Sequence, residues 1–255
     1  MNPAGGHPPA AGRLLSVAFG LAGLYYLVVL ILERIIQSVV LDILPHATGF
    51  LFAEMSFDKK GRETVNFYSY EQEKRDCFPI TARTYLTHKF GEDYRDVVDE
   101  IGGDFISCDA APLGKNGTAV VFESGEMYIF GAGGKLVWHG SVVYRDCPVR
   151  DLAVDGKAIW CAVPDCNAVI CYSPAESRVT LRIGGMDSAA FDQPVGVTIH
   201  DGMLYVANRH GKKVRTIRLS DLEVQDLRKF REPVHKFFIS GQHQYAVLDS
   251  GVYQL

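Results

Sequence analysis

An all-β chain, a β-propeller of about five to six blades preceded by one transmembrane helix, is what the sequence predicts, and three observations predict it. The first is a recurring spacing of proline, glycine and aromatic, seen in Pro148–Gly156–Trp160, Pro194–Gly202–Tyr205 and Pro233–Gly241–Tyr245. Repeats of roughly 40 residues with that content are the mark of propeller blades. The second is the texture from Thr48 onward, where short runs rich in Val, Ile, Phe and Tyr alternate with turn dipeptides. The third is Leu14–Leu32, an uncharged apolar run long enough to cross a bilayer.

Composition sets the outer bounds. The chain has 255 residues, 47% of them apolar, which suffices for one core-bearing domain and an anchor. A net charge of −4 does not suit a dedicated nucleic-acid binder. The six cysteines are too few to staple the fold and contain no C-x-x-C pair, so a zinc ribbon is not expected. Cys161, Cys166 and Cys171 lie close together and read either as buried free thiols or as holding one disulfide, Cys161–Cys171, in an oxidising space.

From the amino terminus, residues 1–13 are rich in Pro, Gly and Ala and read as a disordered tail. Residues 14–44 read as a transmembrane helix with an amphipathic extension. Leu14–Leu32 lacks the small-residue cleavage site of a signal peptide, so an uncleaved single-pass anchor is expected. After Glu33, the pairs Ile35/Ile36, Val39/Val40 and Ile43/Leu44 would form one stripe on a helix that ends at Pro45. Arg13 and Arg34 flank the run almost symmetrically and give little orientation. An extracytoplasmic propeller is the expectation, because a short tail of low charge is easily left behind in the cytoplasm.

Residues 48–255 read as the propeller domain. A first, degenerate unit starts at Gly49–Phe57 and turns at Lys59–Gly61, and Gly91–Glu100 reads as a helical excursion or connecting loop. Asp155-Gly156 and Asp201-Gly202 join Val149–Val154 to Ala158–Val163 and Val195–His200 to Met203–Ala207 as hairpins. Pro148, Pro194 and Pro233 sit where strands begin, a place where a missing N–H is tolerated. Asn116-Gly117-Thr118 reads as a hairpin turn before it reads as a glycosylation acceptor. Glu123-Ser124-Gly125 and Asp249-Ser250-Gly251 mark equivalent second hairpins.

The run Phe191-Asp192-Gln193-Pro194-Val195-Gly196-Val197, followed by Leu204-Tyr205-Val206-Ala207-Asn208-Arg209 and Val214, resembles an NHL repeat. Weaker copies extend the likeness over Gly103–Leu255, with Trp160 in place of the Tyr in one of them. The resemblance implies a propeller, commonly six-bladed, whereas residues 48–255 suffice for roughly five units. A ring of five, a ring of six with one irregular blade and an incomplete ring all fit. Gly49–Phe57 could supply the outer strand that the last unit lacks.

Two functions follow. The first is a membrane-anchored, non-catalytic binding or scaffolding module without a cofactor, contacting the membrane through Leu14–Leu32 and a protein or other macromolecule through its faces. The second, implied by some six-bladed relatives, is a lactonase- or lyase-type enzyme using a divalent cation such as Ca2+ or Zn2+ in the channel. The innermost strands offer Arg150, Asp151, Thr198, His200, His235 and Lys236, a set of mixed sign with His200 and His235 as its one metal-binding pair. A basic hairpin with Arg209, Lys212, Lys213 and Arg215 could grip an anionic partner, or be a solvated outer edge. The binding candidates are therefore Asp151, His200, Arg209, Lys212, Lys213, Arg215, His235 and Lys236.

Overall fold

A computed structural model of the chain describes residues 32–38 and 40–255. The tail and all of the proposed membrane run except Leu32 lie outside these residues. Among the described residues no helix is long and apolar enough to cross a membrane.

The described residues begin with a lone strand, β1 (Glu33–Ile36), and then lay down five units that are each four-stranded once β1 is counted in the last. Blade 1 is β2 (Val40–His46), β3 (Gly49–Phe57), β4 (Glu63–Glu71) and β5 (Asp76–Pro79). Two helices follow, α1 (Ala82–Phe90) and α2 (Tyr94–Glu100). Blade 2 is β6 (Cys108–Leu113), β7 (Gly117–Phe122), β8 (Glu126–Phe130) and β9 (Leu136–Ser141). A small ladder of β10 (Val143–Tyr144) and β11 (Cys147–Pro148) leads to blade 3, made of β12 (Asp151–Asp155), β13 (Ala158–Val163), β14 (Ala168–Ser173) and β15 (Arg178–Gly184). Blade 4 is β16 (Pro194–His200), β17 (Met203–Asn208), β18 (Lys213–Arg218) and β19 (Val224–Lys229). The last is β20 (Val234–Ser240), β21 (His243–Leu248) and β22 (Gly251–Gln254), with β1 as its fourth strand.

The chain is therefore a five-bladed β-propeller, closed by pairing β1 with β22. Gly49–Phe57 does not close the ring; it is the second strand of blade 1, and Glu33–Ile36 closes it instead. Residues 33–36 and 40–44 are likewise strand and not a helical stripe. The pair Ile43/Leu44 misleads because β2 is an innermost strand covered on both sides, so both residues are buried and strict alternation is lost. Gly251 makes the closure possible. At φ +139° it brings its backbone so near β1 that a Cβ would lie 2.0 Å from the Ile36 carbonyl oxygen.

Each pair of neighbouring blades encloses its own apolar layer. Blades 2 and 3 share Val121, Met127, Cys161 and Ile170, whereas blades 3 and 4 share Trp160, Val169, Cys171, Leu204 and Val206. Cys161 and Cys171 thus lie on opposite faces of one sheet and cannot pair. The disulfide is Cys147–Cys166, which ties β11 to the turn after β13. Between blades 1 and 2 the helices intervene, with Tyr85, Leu86, Phe90 and Val97 filling the gap between Leu51 and Ala53 on one side and Val120 and Phe130 on the other. Thr81 caps α1 by accepting the Thr84 N–H. The expected excursion at Gly91–Glu100 is the second helix of this wedge.

Blades 5 and 1 meet through Phe50, Phe52, Tyr70, Phe238 and Tyr245. The Tyr245 hydroxyl is buried there with no hydrogen-bond partner among the described residues, and burial with nearby Tyr70 pushes it up to about 12. An unpaired buried polar group costs about 1–3 kcal/mol. Tyr245→Phe is therefore expected to raise the unfolding free energy by about 1 kcal/mol in urea melts. A loss instead would mean that the hydroxyl is hydrogen-bonded.

Candidate functional site

One residue of each innermost strand occupies the same register position, opposite the second strand of its blade. Asp42 pairs with Ala53, Asp109 with Val121, Asp151 with Ala162, Gly196 with Ala207 and Lys236 with Val247. Around the channel the ring thus reads Asp, Asp, Asp, Gly, Lys. The glycine is steric, since a Cβ on Gly196 would meet the His235 carbonyl oxygen at 2.3 Å.

The charges of this ring are tied to one another. Lys236 Nζ lies 2.6 Å from Asp109 Oδ1 and 3.8 Å from Asp151 Oδ1. Asp151 also accepts the Leu152 N–H at Oδ1 and the Val197 N–H at Oδ2, both at 2.8 Å, so it bridges blades 3 and 4. The Asp109 side chain is 31% exposed to the channel and that of Asp151 only 4%. Burial would raise Asp109, but Lys236 and Lys89 hold it below the ordinary carboxylate value. Burial and the neighbouring Asp109 push Asp151 up to about 7, against Lys236 and the two N–H donors. The proton belongs to the drier carboxyl, the one farther from the ammonium.

A third charge pair comes from the wedge. Lys89 of α1 reaches Asp42 at 2.5 Å with side-chain exposures of 0% and 6%. It also donates to the carbonyl of Phe105 at 2.8 Å and to that of Cys108 at 2.5 Å, while Tyr85 donates to Asp42 Oδ2 at 2.5 Å. Burial works against this ammonium, yet Asp42 holds its pKa above the ordinary lysine value. Burial pushes the wall thiol of Cys108 up to about 12, so it stays protonated at neutral pH.

Above the ring the channel opens into a cavity of about 850 Å3 at the face where the innermost strands start. Arg150 donates through Nε to Glu123 at 2.9 Å on its rim, and His235 pairs with Asp249 at 2.6 Å. Arg209, from the turn after β17, lines the same opening and has no carboxylate partner among the described residues. On this face β3 and β4 run past the end of β2 as a two-stranded arm, because Val40 pairs only as far as Glu54. One side of the arm carries Phe57, 67% exposed, with Met55 at 41% and Val65; the other carries Ser56, Thr64 and Asn66, hydrogen-bonded to one another.

Of the residues singled out from sequence, Asp151, Arg209, His235 and Lys236 meet at this channel. His200 does not. It ends β16 beside the Asp201–Gly202 turn, at the opposite face, 3.3 Å from Asp201. The one metal-binding pair considered, His200 and His235, is therefore split between the two ends of the channel. Among the described residues no group of three His, Cys, Asp or Glu side chains could hold a metal ion. Lys213 and Arg215 lie out on β18, both paired with Asp226 at 3.2 and 2.6 Å, and Lys212 reaches the Arg231 carbonyl at 3.4 Å.

Asp42, Lys89 and Asp109 were missed. A signal existed, since an aspartate followed by an apolar residue stands 11 or 12 positions before Ala53, Val121 and Ala162 alike. Nor is Asn116-Gly117 a two-residue turn; Gly117 opens β7 opposite Leu113, and the loop is Gly114–Asn116.

Asp151 gives the channel a pH signature. Its folded-state pKa stands above that of an unfolded aspartate, so the native state holds an extra proton between about pH 4 and 7. The stability this contributes is full below that window and is lost as pH rises through 7. Asp151→Asn should be less stable at pH 5, where its amide cannot accept both N–H groups. The gap to the natural protein should narrow by pH 8. A constant gap in urea midpoints would show that Asp151 does not titrate in this range.

Among solved structures, the WD40 β-propeller domain of Doa1 is similar over 84% of this chain and 62% of its own, with a TM-score of 0.50 and 11% identity. Saccharomyces cerevisiae Sqt1 matches over 86% of this chain and 73% of its own at 12% identity and a TM-score of 0.47. U3-55K matches over 88% and 63%, also at 12% identity and a TM-score of 0.47. At these identities the likeness is one of fold, and the Doa1 domain agrees with the propeller topology above. No family model matches the chain, and no curated protein matches it.

Proposed function

We propose that this propeller is a non-catalytic binding and scaffolding module, of the NHL-like kind its blade 4 residues suggest, which presents its channel-mouth face to a protein partner. The observation that carries the reading is the makeup of that face, where an open cavity of about 850 Å3 stands beside an arm with exposed Phe57 and Met55. Exposed apolar side chains beside polar, concave surface mark interaction sites. The channel charges support a structural wall, because each carboxylate of the ring already has a cation or N–H donors of the protein itself.

Leu14–Leu32 would hold the module at a membrane. The Cys147–Cys166 disulfide favours an oxidising, extracytoplasmic compartment.

Photo-crosslinking amino acids placed at Ser124 and Arg209 on the mouth face, and at Lys115 and Lys157 on the opposite face, test the reading in cells. Adducts from the first pair alone are expected. Adducts confined to Lys115 and Lys157 would overturn it. Cysteines introduced at Lys115 and Gly211 and labelled by an impermeant reagent in intact cells test the compartment. Labelling only after lysis would put the propeller in the cytoplasm.

A further inference from the structure

We infer that blade 4 takes an extended acidic segment of a partner polypeptide, laid along the free edge of β19 and across the basic turn after β17. This rests on the binding-module reading and names the partner chemistry of one blade.

Three observations meet there. Arg209 and Lys212 in the turn, and Arg228, Lys229 and Arg231 at the end of β19, have no carboxylate partner among the described residues, in a chain whose net charge is −4. They are gathered by the backbone, since the Phe230 N–H donates to the Lys212 carbonyl at 2.7 Å, and Lys229 stands directly opposite Lys213. Like charges in that register repel. Lys213 turns to Asp226, which leaves Lys229 free for an outside anion. His210 adds to the cluster, its nearest carboxylate being Asp192 at 4.0 Å.

The second observation is the edge. No strand pairs with the outer side of β19 among the described residues, so its N–H and C=O groups are open to a further strand. The third is a groove of about 530 Å3 between β19 and the segment entering blade 4, where exposed Leu227 lies beside Arg228 and Lys229, and where the two carboxylates of the lining are already engaged, Asp226 by Lys213 and Arg215 and Asp192 by His210. Alternate side chains of an added strand would meet cations and apolar wall in turn. A phosphodiester or sulfated chain satisfies the cations but brings neither apolar side chains nor a backbone ladder. Lysines on an edge also deter strand addition, so the added strand must carry compensating carboxylates.

The test uses the whole propeller and a fluorescent short peptide of alternating Glu and Val, with short oligouridylate and low-molecular-weight heparin as competitors. Binding is expected to weaken with salt, and to weaken about tenfold in Lys229→Glu/Arg231→Glu, which loses charge-assisted contacts. Arg178→Glu/Arg182→Glu, on the matching edge strand of blade 3, should bind as the natural protein does. All four side chains are exposed, so both variants should fold. No binding of the peptide, or equal loss in both variants, overturns the inference. So does tighter binding of oligouridylate or heparin through the same residues, which would make this a site for another polyanion. If the peptide fails while crosslinks persist at Ser124, which lies outside the blade 4 cluster, the acidic segment alone is lost and the binding module stands.

Discussion

Lys89→Met is expected to lower the unfolding free energy by about 3–5 kcal/mol, the usual cost of removing one partner of a buried ion pair. Asp42 would remain at 6% exposure with its Tyr85 hydrogen bond and the Ile43 N–H, but without a cation. The carbonyls of Phe105 and Cys108 would lose their donor as well. The double variant Asp42→Asn/Lys89→Met should recover a good part of the loss, since it removes the uncompensated charge. Urea melts of the two single variants and the double variant, taken as a cycle, read the coupling directly. A loss below about 1 kcal/mol in Lys89→Met would mean that the ammonium is not enclosed as described.

Reduction of Cys147–Cys166, or its replacement by two serines, should cost about 3 kcal/mol. The bond closes a loop with a sequence separation of 19 residues, and chain-entropy arguments assign about that much to a loop of this length. The loss belongs mainly to the unfolded chain, so the native contacts of blades 2 and 3 should persist, and the urea midpoint should fall at nearly constant slope. Free Cys161 and Cys171 provide a control, because they are buried on opposite faces of their sheet and take no part in the bond. Equal midpoints with and without reductant would show that the two thiols are not joined.

Much of the ring was legible in the sequence, and the reasons are local. Pro194, Asp201-Gly202 and Tyr205 each act within one hairpin, so blades 3 to 5 could be placed from spacing alone, along with Asp151, His235 and Lys236 on their inner strands. Residues 33–46 could not, because apolar pairs satisfy a helix and a doubly covered strand equally well. Lys89 was hidden for a different reason. In the last turn of a short helix it passes for a solvated cation, and only the packing of α1 between two blades carries it to Asp42. Cys147 sits in a linker, where nothing in its neighbourhood foretells which turn will lie against it.

The closure of the ring sets a clock on its birth. Arg34 of β1 donates to the Ser250 carbonyl across 216 residues of chain. At translation rates of about 5–20 residues per second, β1 waits about 10–40 s for its partner to be made. During that interval the apolar side chains of β1, and the face of Phe50 and Phe52 that blade 5 will cover, have no native mate. The nascent chain therefore passes through a long open-ring stage in which its two ends are sticky. Exposed apolar surface and unpaired strand edges at this stage are where misassembly begins, so the order of synthesis, and not only the stability of the finished ring, bears on yield.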